Sequence, residues 1–201
     1  SAQPHAYTGA HASMFGRIAA QVSVVVQKTR AYGELVSHNR VLVNETRRLH
    51  QAATTDALTG VLNRRALDEA LTGAWRRHRR GEGGFGIIIA DVDRFKEIND
   101  THGHITGDAV LSQAARRMER CLRGGDIFGR YGGEEFLAIV DTTLDTRLLD
   151  VAERLRARVA RTPFGSLKVT ASFGAAVANR FESLDDLVVA ADQALYTAKH
   201  Q

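Results

Sequence analysis

The chain has 201 residues, of which 44% are hydrophobic and 25% are charged, as expected of a soluble globular protein. The single cysteine, Cys121, excludes an internal disulfide and favours a reducing compartment, so we expect a cytoplasmic location. No apolar run approaches the roughly 20 residues of a membrane span, and the net charge of +4 suits polyanionic partners such as nucleotides. The basic cluster at residues 76–80 lacks interleaved aromatic residues, so we interpret it as a solvated helix end and expect no nucleic-acid partner.

A loop over residues 1–10 precedes a region, residues 11–54, that predicts one long helix or two stacked helices. Its apolar residues recur at alternating spacings of four and three, the heptad pattern of a coiled coil. We therefore predict that residues 1–54 form a helical stalk that pairs with a second copy; the alternative is a helix folded back on the domain. The seam of this pattern is Ile18, Val22, Val25, Thr29, Tyr32, Val36, Asn39, Val43 and Thr46.

Beyond residue 55 the hydrophobic period alternates between that of a helix and that of a strand. Two glycines between the second and third predicted strands indicate a hairpin. The order predicts an α/β (α+β) domain over residues 55–201, in which a central mixed sheet is flanked by helices. Helices are predicted over residues 64–80, 106–122, 148–159 and 184–198, and strands over residues 85–91, 127–130, 135–140 and 169–177.

Two acidic points lie beside predicted strand ends: Asp91 closes an apolar strand, and Glu134 with Glu135 follows a Gly-Gly turn. A buried carboxylate is costly unless it is paired. Mg²⁺ is a suitable partner, because it takes oxygen ligands and keeps phosphates in its shell. If the two strands are neighbours, Asp91 and Glu135 share metal ions, and Gly133 lets the backbone approach a phosphate. Either acidic point alone is more often structural.

Polar residues between these points suit a nucleotide. Lys96 follows the strand end, where its charge neutralises phosphate oxygens. Asn99 and Asp108 offer acceptors, and a carboxylate that accepts two hydrogen bonds matches the N1–H and exocyclic amine of guanine rather than adenine. Taken alone, the same two residues are compatible with a turn residue and a helix N-cap.

In combination these motifs resemble those of the GGDEF-domain diguanylate cyclases. The resemblance covers about residues 56–199 and implies a palm-like, adenylyl-cyclase-like α/β fold after the helical stalk. It rests on Asp56-Ala57-Leu58-Thr59-Gly60, Asn63-Arg64-Arg65, Asp91-Val92-Asp93-Arg94-Phe95-Lys96-Glu97-Ile98-Asn99-Asp100, Gly103-His104, Gly107-Asp108 and Arg130-Tyr131-Gly132-Gly133-Glu134-Glu135-Phe136.

The resemblance implies that two GTP molecules are condensed into cyclic di-GMP, with Mg²⁺ or Mn²⁺, by a homodimer joined through the N-terminal helices. It implies metal binding by Asp91, the carbonyl of Val92 and Glu135, while Glu134 either helps to deprotonate the 3′-hydroxyl or completes the metal shell. The implied substrate contacts are Asn99 and Asp108 to guanine, Lys96, Lys199 and the Phe95 amide to the triphosphate, and His104 near the ribose or base.

Arg123 and Asp126, just upstream of the Gly-Gly turn, resemble the inhibitory product site of the family, and Arg154 matches its second arginine. A surface salt bridge near a turn is the alternative. The family usually continues past Lys199 with a Gly-Arg-Asn stretch, whereas this chain stops at Gln201, which would weaken GTP binding.

Three further interpretations stay open at this point. The segment before residue 33 resembles the closing helix of a GAF sensor domain, although nothing in the sequence names the input signal. A catalytically silent receptor for cyclic di-GMP is the main alternative to a cyclase, and the intact Gly-Gly-Glu-Glu-Phe motif argues against it. A cyclase that accepts ATP is disfavoured by Asp108.

Overall fold

The computed structural model describes residues 9–161 and 163–200, and the chain divides into two compact units, residues 1–50 and 51–201. Helix α1 spans Gly9–Thr54 without a break. The predicted helical region is therefore one helix, which begins two residues before the expected start. The loop predicted for the first residues lies largely outside the described part of the chain.

The described apolar side chains of the predicted seam on α1 are exposed. Tyr32 is 70% exposed and Val36, the least exposed of them, is 37% exposed. The side chains of Val25 and Thr29 lie outside the described set. Exposed apolar side chains along one helix are characteristic of an interaction surface. Pairing with a second copy stays a prediction.

A four-stranded sheet of order β2-β3-β1-β4 forms the centre of the second unit. Its strands are β1 (Phe85–Val92), β2 (Ile127–Gly132), β3 (Glu135–Asp141) and β4 (Ala171–Val177). Every neighbouring pair is antiparallel. The α/β fold class is confirmed, but the expectation of a mixed sheet was wrong.

The helical crossovers explain this difference. They link β1 to β2 and β3 to β4, and in each case the two linked strands run in the same direction. However, β3 is inserted between β1 and β2, and β1 is inserted between β3 and β4. Parallel strands are thus present but never adjacent, which a sequence pattern cannot reveal because it does not give the strand order.

Five helices accompany the sheet in the described part of the second unit, and the short helix α3 was not predicted. Helix α4 begins at His104, so Asp108 lies in its second turn rather than near an N-cap as the sequence suggested. None of the helices among the described residues is both long and apolar enough to cross a membrane. The five are α2 (Arg64–Arg79), α3 (Phe95–His102), α4 (His104–Glu119), α5 (Asp145–Ala160) and α6 (Leu184–Lys199).

The sheet separates two apolar cores. On one face Ile88 and Phe136 pack with buried residues of α4 and α5, and on the other face Ile87 and Leu137 pack with α2 and α6. Strand β1 contributes to both cores, which explains why all eight of its residues are buried. A continuous apolar run in the sequence is what this double burial requires.

Helix α6 packs on β4 at Gly174, and this contact places the end of α6 beside the end of β1. A β-carbon at Gly174 would lie 2.1 Å from the carbonyl oxygen of Ala191 and 2.3 Å from the amide nitrogen of Leu195. Both are backbone atoms and cannot move aside as a side chain would. Only glycine allows the helix to lie this close to the strand.

Replacing Gly174 with alanine is therefore expected to destabilise the domain by about 1–3 kcal/mol, the usual effect of overpacking a core. Urea unfolding followed by circular dichroism measures this change. Gly73→Ala is the matched control, because a β-carbon there would meet only Arg77 Nη1, at 3.7 Å. The control is expected to be neutral or stabilising by up to about 1 kcal/mol, since alanine is the better helix former. Equal stability of the two variants would contradict the packing argument.

Candidate active site

The two acidic points that the sequence singled out lie side by side. The antiparallel register of β1 and β3 places Asp91 opposite Glu135. The amide of Val92 donates to the carbonyl oxygen of Glu134, with a nitrogen–oxygen distance of 3.3 Å. One end of the sheet therefore brings together four of the residues named above, with two carboxylates directly across the ladder.

Asp91 is buried, and a lysine from another element neutralises part of its charge. The Nζ atom of Lys199, the last residue of α6, lies 2.7 Å from Asp91 Oδ2. Burial nevertheless raises the pKa of Asp91; hydrogen bonding and charge from Lys199 oppose this shift, and the charges of Glu134 and Asp93 reinforce it. The ionised form of Asp91 is therefore less favourable here than it is for an exposed aspartate.

The pKa of Glu135 is raised as well. Burial is the largest cause, the charge of Asp91 is the next, and Lys199 opposes both. The charge of Asp91 thus makes Glu135 harder to ionise, the charges of Glu134 and Asp93 do the same to Asp91, and Lys199 opposes both shifts. Burial and nearby acidic charge therefore make ionisation of both carboxylates less favourable.

This donor set fits a hard divalent cation that arrives with phosphates. Within the described residues, no three acidic, histidine or cysteine side chains are gathered into a complete metal site. Mg²⁺ does not require one, because it is usually bound through one or two carboxylates and takes its other oxygens from water and phosphate groups. Asp91 and Glu135 supply the carboxylates, and a bound cation would offset the burial and repulsion that raise both pKa values.

The segment after β1 is hydrogen-bonded to β4 and to the residue that precedes it. Thr170 and Ser172 donate their hydroxyls to the two oxygens of Asp93, at 2.5 and 2.7 Å. The Asp93 amide donates to the carbonyl oxygen of Thr170 at 3.0 Å. Arg94 follows with φ of 55°, the one non-glycine residue with positive φ in the described ranges, and α3 begins directly after it. These contacts fix where α3 starts relative to Asp91.

A cavity of about 750 Å³ opens beside this segment. Asp91 and Lys199 line it, and Arg94 and Lys168 add two further cations. Sequence reasoning missed Arg94 and Lys168 as neighbours of the site. Arg94 lay inside the matched motif without a role, and Lys168 is brought in only by the pairing of β4 with β1.

The residues predicted to contact guanine lie on α3 and α4, outside the lining of that cavity. Asn99 is half-buried, whereas Asp108 and His104 are exposed. Of the residues predicted to contact the triphosphate, Phe95 is half-buried against the core and Lys96 is exposed. The structure thus places Lys199 beside Asp91. Of the other predicted substrate contacts, Phe95, Lys96 and Asn99 lie on α3, His104 and Asp108 on α4, and Gly133 in the turn between β2 and β3.

The Gly-Gly turn between β2 and β3 is braced by Arg130. The Arg130 guanidinium donates to the carbonyl oxygen of Gly133 through Nε at 2.8 Å and Nη2 at 2.6 Å. It also pairs with Asp56, at 3.3 Å. Asp56 in turn accepts the backbone amide and the hydroxyl of Thr59. The loop that follows α1 is therefore connected to the turn carrying Glu134 by two charged side chains.

The residues that resemble a product site line a second cavity, of about 260 Å³. Asp126 Oδ2 accepts the Arg123 amide at 2.9 Å, and Arg154 donates to the carbonyl oxygen of Cys121 at 2.9 Å. Arg147 and Asp150, at the start of α5, also line the cavity and were not anticipated. They are a few residues before Arg154, so helical spacing was the available signal.

Comparisons with known proteins identify similar sequences and structures. A family model described as "Diguanylate cyclase, GGDEF domain" matches residues 53–201. Diguanylate cyclase DgcM of Escherichia coli strain K12 is 42% identical over 154 residues, which is 76% of this chain and 37% of that protein. The chain therefore spans well under half the length of this curated relative.

Solved structures of two proteins each cover most of this chain. Diguanylate cyclase SiaD of Pseudomonas aeruginosa, in complex with its activator SiaC, is 35% identical with a TM-score of 0.72, over 96% of this chain and 74% of that chain. The coiled coil and GGDEF domain of DgcB from Caulobacter crescentus, in complex with c-di-GMP, is 28% identical with a TM-score of 0.74, over 94% and 95% of the two chains.

The ion pair of Asp56 and Arg130 is expected to stabilise the domain by about 1–2 kcal/mol at neutral pH. Burial alone would raise the pKa of Asp56, but hydrogen bonds from Thr59 and the charge of Arg130 together hold it below its ordinary value. A lowered pKa stabilises the folded state above the unfolded pKa, and this contribution is lost as the pH falls through the folded value. Asp56→Asn should therefore cost stability at pH 7 and progressively less below about pH 4.

Urea unfolding across this pH range measures the difference. Asp68→Asn is the control, because Asp68 pairs with Arg64 on the exposed face of α2 and should contribute less than about 0.5 kcal/mol. A pH-independent cost of Asp56→Asn would contradict the assigned role of its charge.

Proposed function

The chain belongs to the GGDEF family of diguanylate cyclases, and we propose that it condenses two GTP molecules into cyclic di-GMP with release of two pyrophosphates. The observation that carries the proposal is the cross-strand pair of Asp91 and Glu135, two carboxylates with raised pKa values. Such a pair favours a divalent cation bound together with the triphosphate of a nucleotide. Mg²⁺ is the assigned cation, and Mn²⁺ satisfies the same oxygen donors.

Asp91, the Val92 carbonyl and Glu135 are the residues assigned to the cation. When bound, the cation lowers the pKa of the attacking hydroxyl and neutralises charge on the leaving pyrophosphate. Glu134 is assigned one of two roles: it accepts the proton of the 3′-hydroxyl, or it completes the metal shell. The substitution Glu134→Gln separates these roles. If Glu134 is the base, the variant loses activity and retains its affinity for the cation. If Glu134 is a metal ligand, its affinity for the cation falls as well.

The chain's contribution to each bond-forming step is positioning. Lys199, the Phe95 amide and Lys96 are assigned to the triphosphate, and Gly133 leaves room for phosphate oxygens beside the turn. Asn99 and Asp108 are assigned to guanine, and His104 to the ribose or base. A 3′-oxygen then attacks an α-phosphorus, a new P–O bond forms, and the bond to pyrophosphate breaks.

One domain holds one GTP, so two domains must face each other for two such steps to close the ring. Helix α1 supplies a surface for this, because its described apolar seam residues are exposed. The matched DgcB structure comprises a coiled coil as well as its GGDEF domain. We therefore infer a homodimer joined through α1. Its relation to a GAF-type sensor and its cytoplasmic location remain predictions from the sequence.

The function is tested by incubating the purified chain with GTP and Mg²⁺ and measuring cyclic di-GMP by liquid chromatography. Asp91→Asn is expected to reduce turnover by at least about 100-fold, because it removes a charge on which the reaction depends. Asp141→Asn, at the opposite end of β3, is the control and should retain activity. A dimeric wild-type protein that binds cyclic di-GMP but forms none from GTP would instead be a silent receptor.

Product inhibition is the second part of the proposal, and Arg123, Asp126 and Arg154 are assigned to it. These residues line one cavity, away from the acidic pair. An arginine at this position can bind a guanine edge or a phosphate through two parallel hydrogen bonds.

Arg123→Ala is expected to raise the cyclic di-GMP concentration needed for half-inhibition by about tenfold or more, with the initial rate unchanged. Initial-rate assays with added product measure this. Arg156→Ala is the control, because Arg156 pairs with Glu153 on the exposed surface of α5. Unchanged inhibition in Arg123→Ala would rule this cavity out as the inhibitory site.

A further inference from the structure

The contact between α3 and α4 contains a feature that the assignments above do not use. A β-carbon at Gly107 would lie 1.9 Å from Asn99 Oδ1 and 3.2 Å from Phe95 Cζ. The Asn99 carboxamide thus occupies the space that any other residue at position 107 would fill. Gly107 is itself buried within α4.

The backbone does not explain the glycine at this position. Gly107 lies in the first half of a regular helix and is not among the glycines with positive φ. Alanine is the better helix former at such a position. The close approach of Asn99 is therefore the physical reason that a side chain is not accommodated.

No hydrogen bond within the described residues fixes the buried oxygen of the Asn99 carboxamide. Asn99 Oδ1 is buried and has no hydrogen-bond partner among the described residues. Leaving a buried amide oxygen without a partner is unfavourable. Because Oδ1 lies against Gly107 without a hydrogen bond, the position of the carboxamide depends on the space that Gly107 leaves.

We propose that Gly107 is a specificity-determining position: its missing side chain allows the Asn99 carboxamide to lie between α3 and α4, where it contacts the purine base. The proposal rests on the proposed function, since GTP is the nucleotide concerned. Gly107 does not itself touch the substrate and acts as a positioning residue through Asn99.

The neighbours of Gly107 make the position testable without disrupting the fold. The nearest atoms are the ends of the Asn99 and Phe95 side chains, whereas those around Gly174 are backbone atoms. An added methyl group at Gly107 should therefore push the Asn99 carboxamide aside and leave both helices in place. Thermal unfolding of the variant verifies that the fold is retained.

The test is the binding of GTP and of ATP, with Mg²⁺, to Gly107→Ala by titration calorimetry, alongside cyclase kinetics. We expect the dissociation constant for GTP to rise about tenfold or more, with ATP binding unchanged, so that the preference for guanine shrinks by the same factor. KM should rise more than kcat falls. Gly73→Ala, with only a 3.7 Å contact to Arg77, is the matched control and should bind both nucleotides as the wild type does.

A double-mutant cycle distinguishes positioning from a general structural effect. In an Asn99→Ala background the substitution Gly107→Ala should have no further effect on GTP affinity, because the displaced group is already absent. An equal loss in both backgrounds would overturn the proposal. If Gly107→Ala does not fold, Asn99→Asp decides the question instead: it keeps the shape of the side chain, and unchanged GTP affinity would show that the carboxamide does not contact the base.

These outcomes are separate from those of the proposed function. A chain that binds GTP with the expected Gly107 dependence but forms no cyclic di-GMP would contradict the cyclase assignment alone. A chain that forms cyclic di-GMP while Gly107→Ala keeps the wild-type affinity and guanine preference would contradict the inference alone. A chain that does not bind GTP would contradict both.

Discussion

The antiparallel register between β1 and β3 is the constraint on which the acidic site depends. It pairs Asp91 with Glu135 across the ladder, at the end of a strand whose residues are all buried. Because side chains alternate between the two faces of a strand, a slip of one residue would send Glu135 to the opposite face. The two apolar cores, which each take alternate residues of β1 and β3, prevent that slip. Packing energy far from the carboxylates therefore fixes their position.

Three further sets of contacts position the residues of the site, and each comes from a different part of the chain. The close approach of α6 to β4 delivers Lys199 to Asp91. Hydroxyls from the β4 side hold Asp93 and thereby the start of α3. Arg130 connects the Gly-Gly turn to the loop that follows α1. The acidic pair is thus held on the β4 side, on the α6 side and at the turn.

Much of this arrangement was predictable from the sequence, because the local signals were strong. Hydrophobic periods located the strands and most helices, and Asp91 and Glu135 were expected to share metal ions if their strands were neighbours. The strand order was not predictable, so the antiparallel character of the sheet was missed. Helix α3 is only eight residues long with no buried residue, and it left too weak a periodic signal to be recognised.

The parts of the site that escaped prediction share one physical property: they depend on contacts between distant segments. Thr170 and Ser172 lie 77 and 79 residues from Asp93 along the chain. The fit of Asn99 against Gly107 is visible only once α3 and α4 are packed. Residue types within one motif suggested a nucleotide, but the geometry that fixes the carboxylates, the lysine and the carboxamide is a property of the folded chain.

The most direct test of this account is a crystal structure of the chain with Mn²⁺ and a non-hydrolysable GTP analogue, with manganese located by its anomalous scattering. The account predicts a manganese ion coordinated by the carboxylates of Asp91 and Glu135 and by the triphosphate, with Lys199 beside the phosphates and Asn99 against the base. A bound analogue whose metal and triphosphate contact neither carboxylate would contradict it.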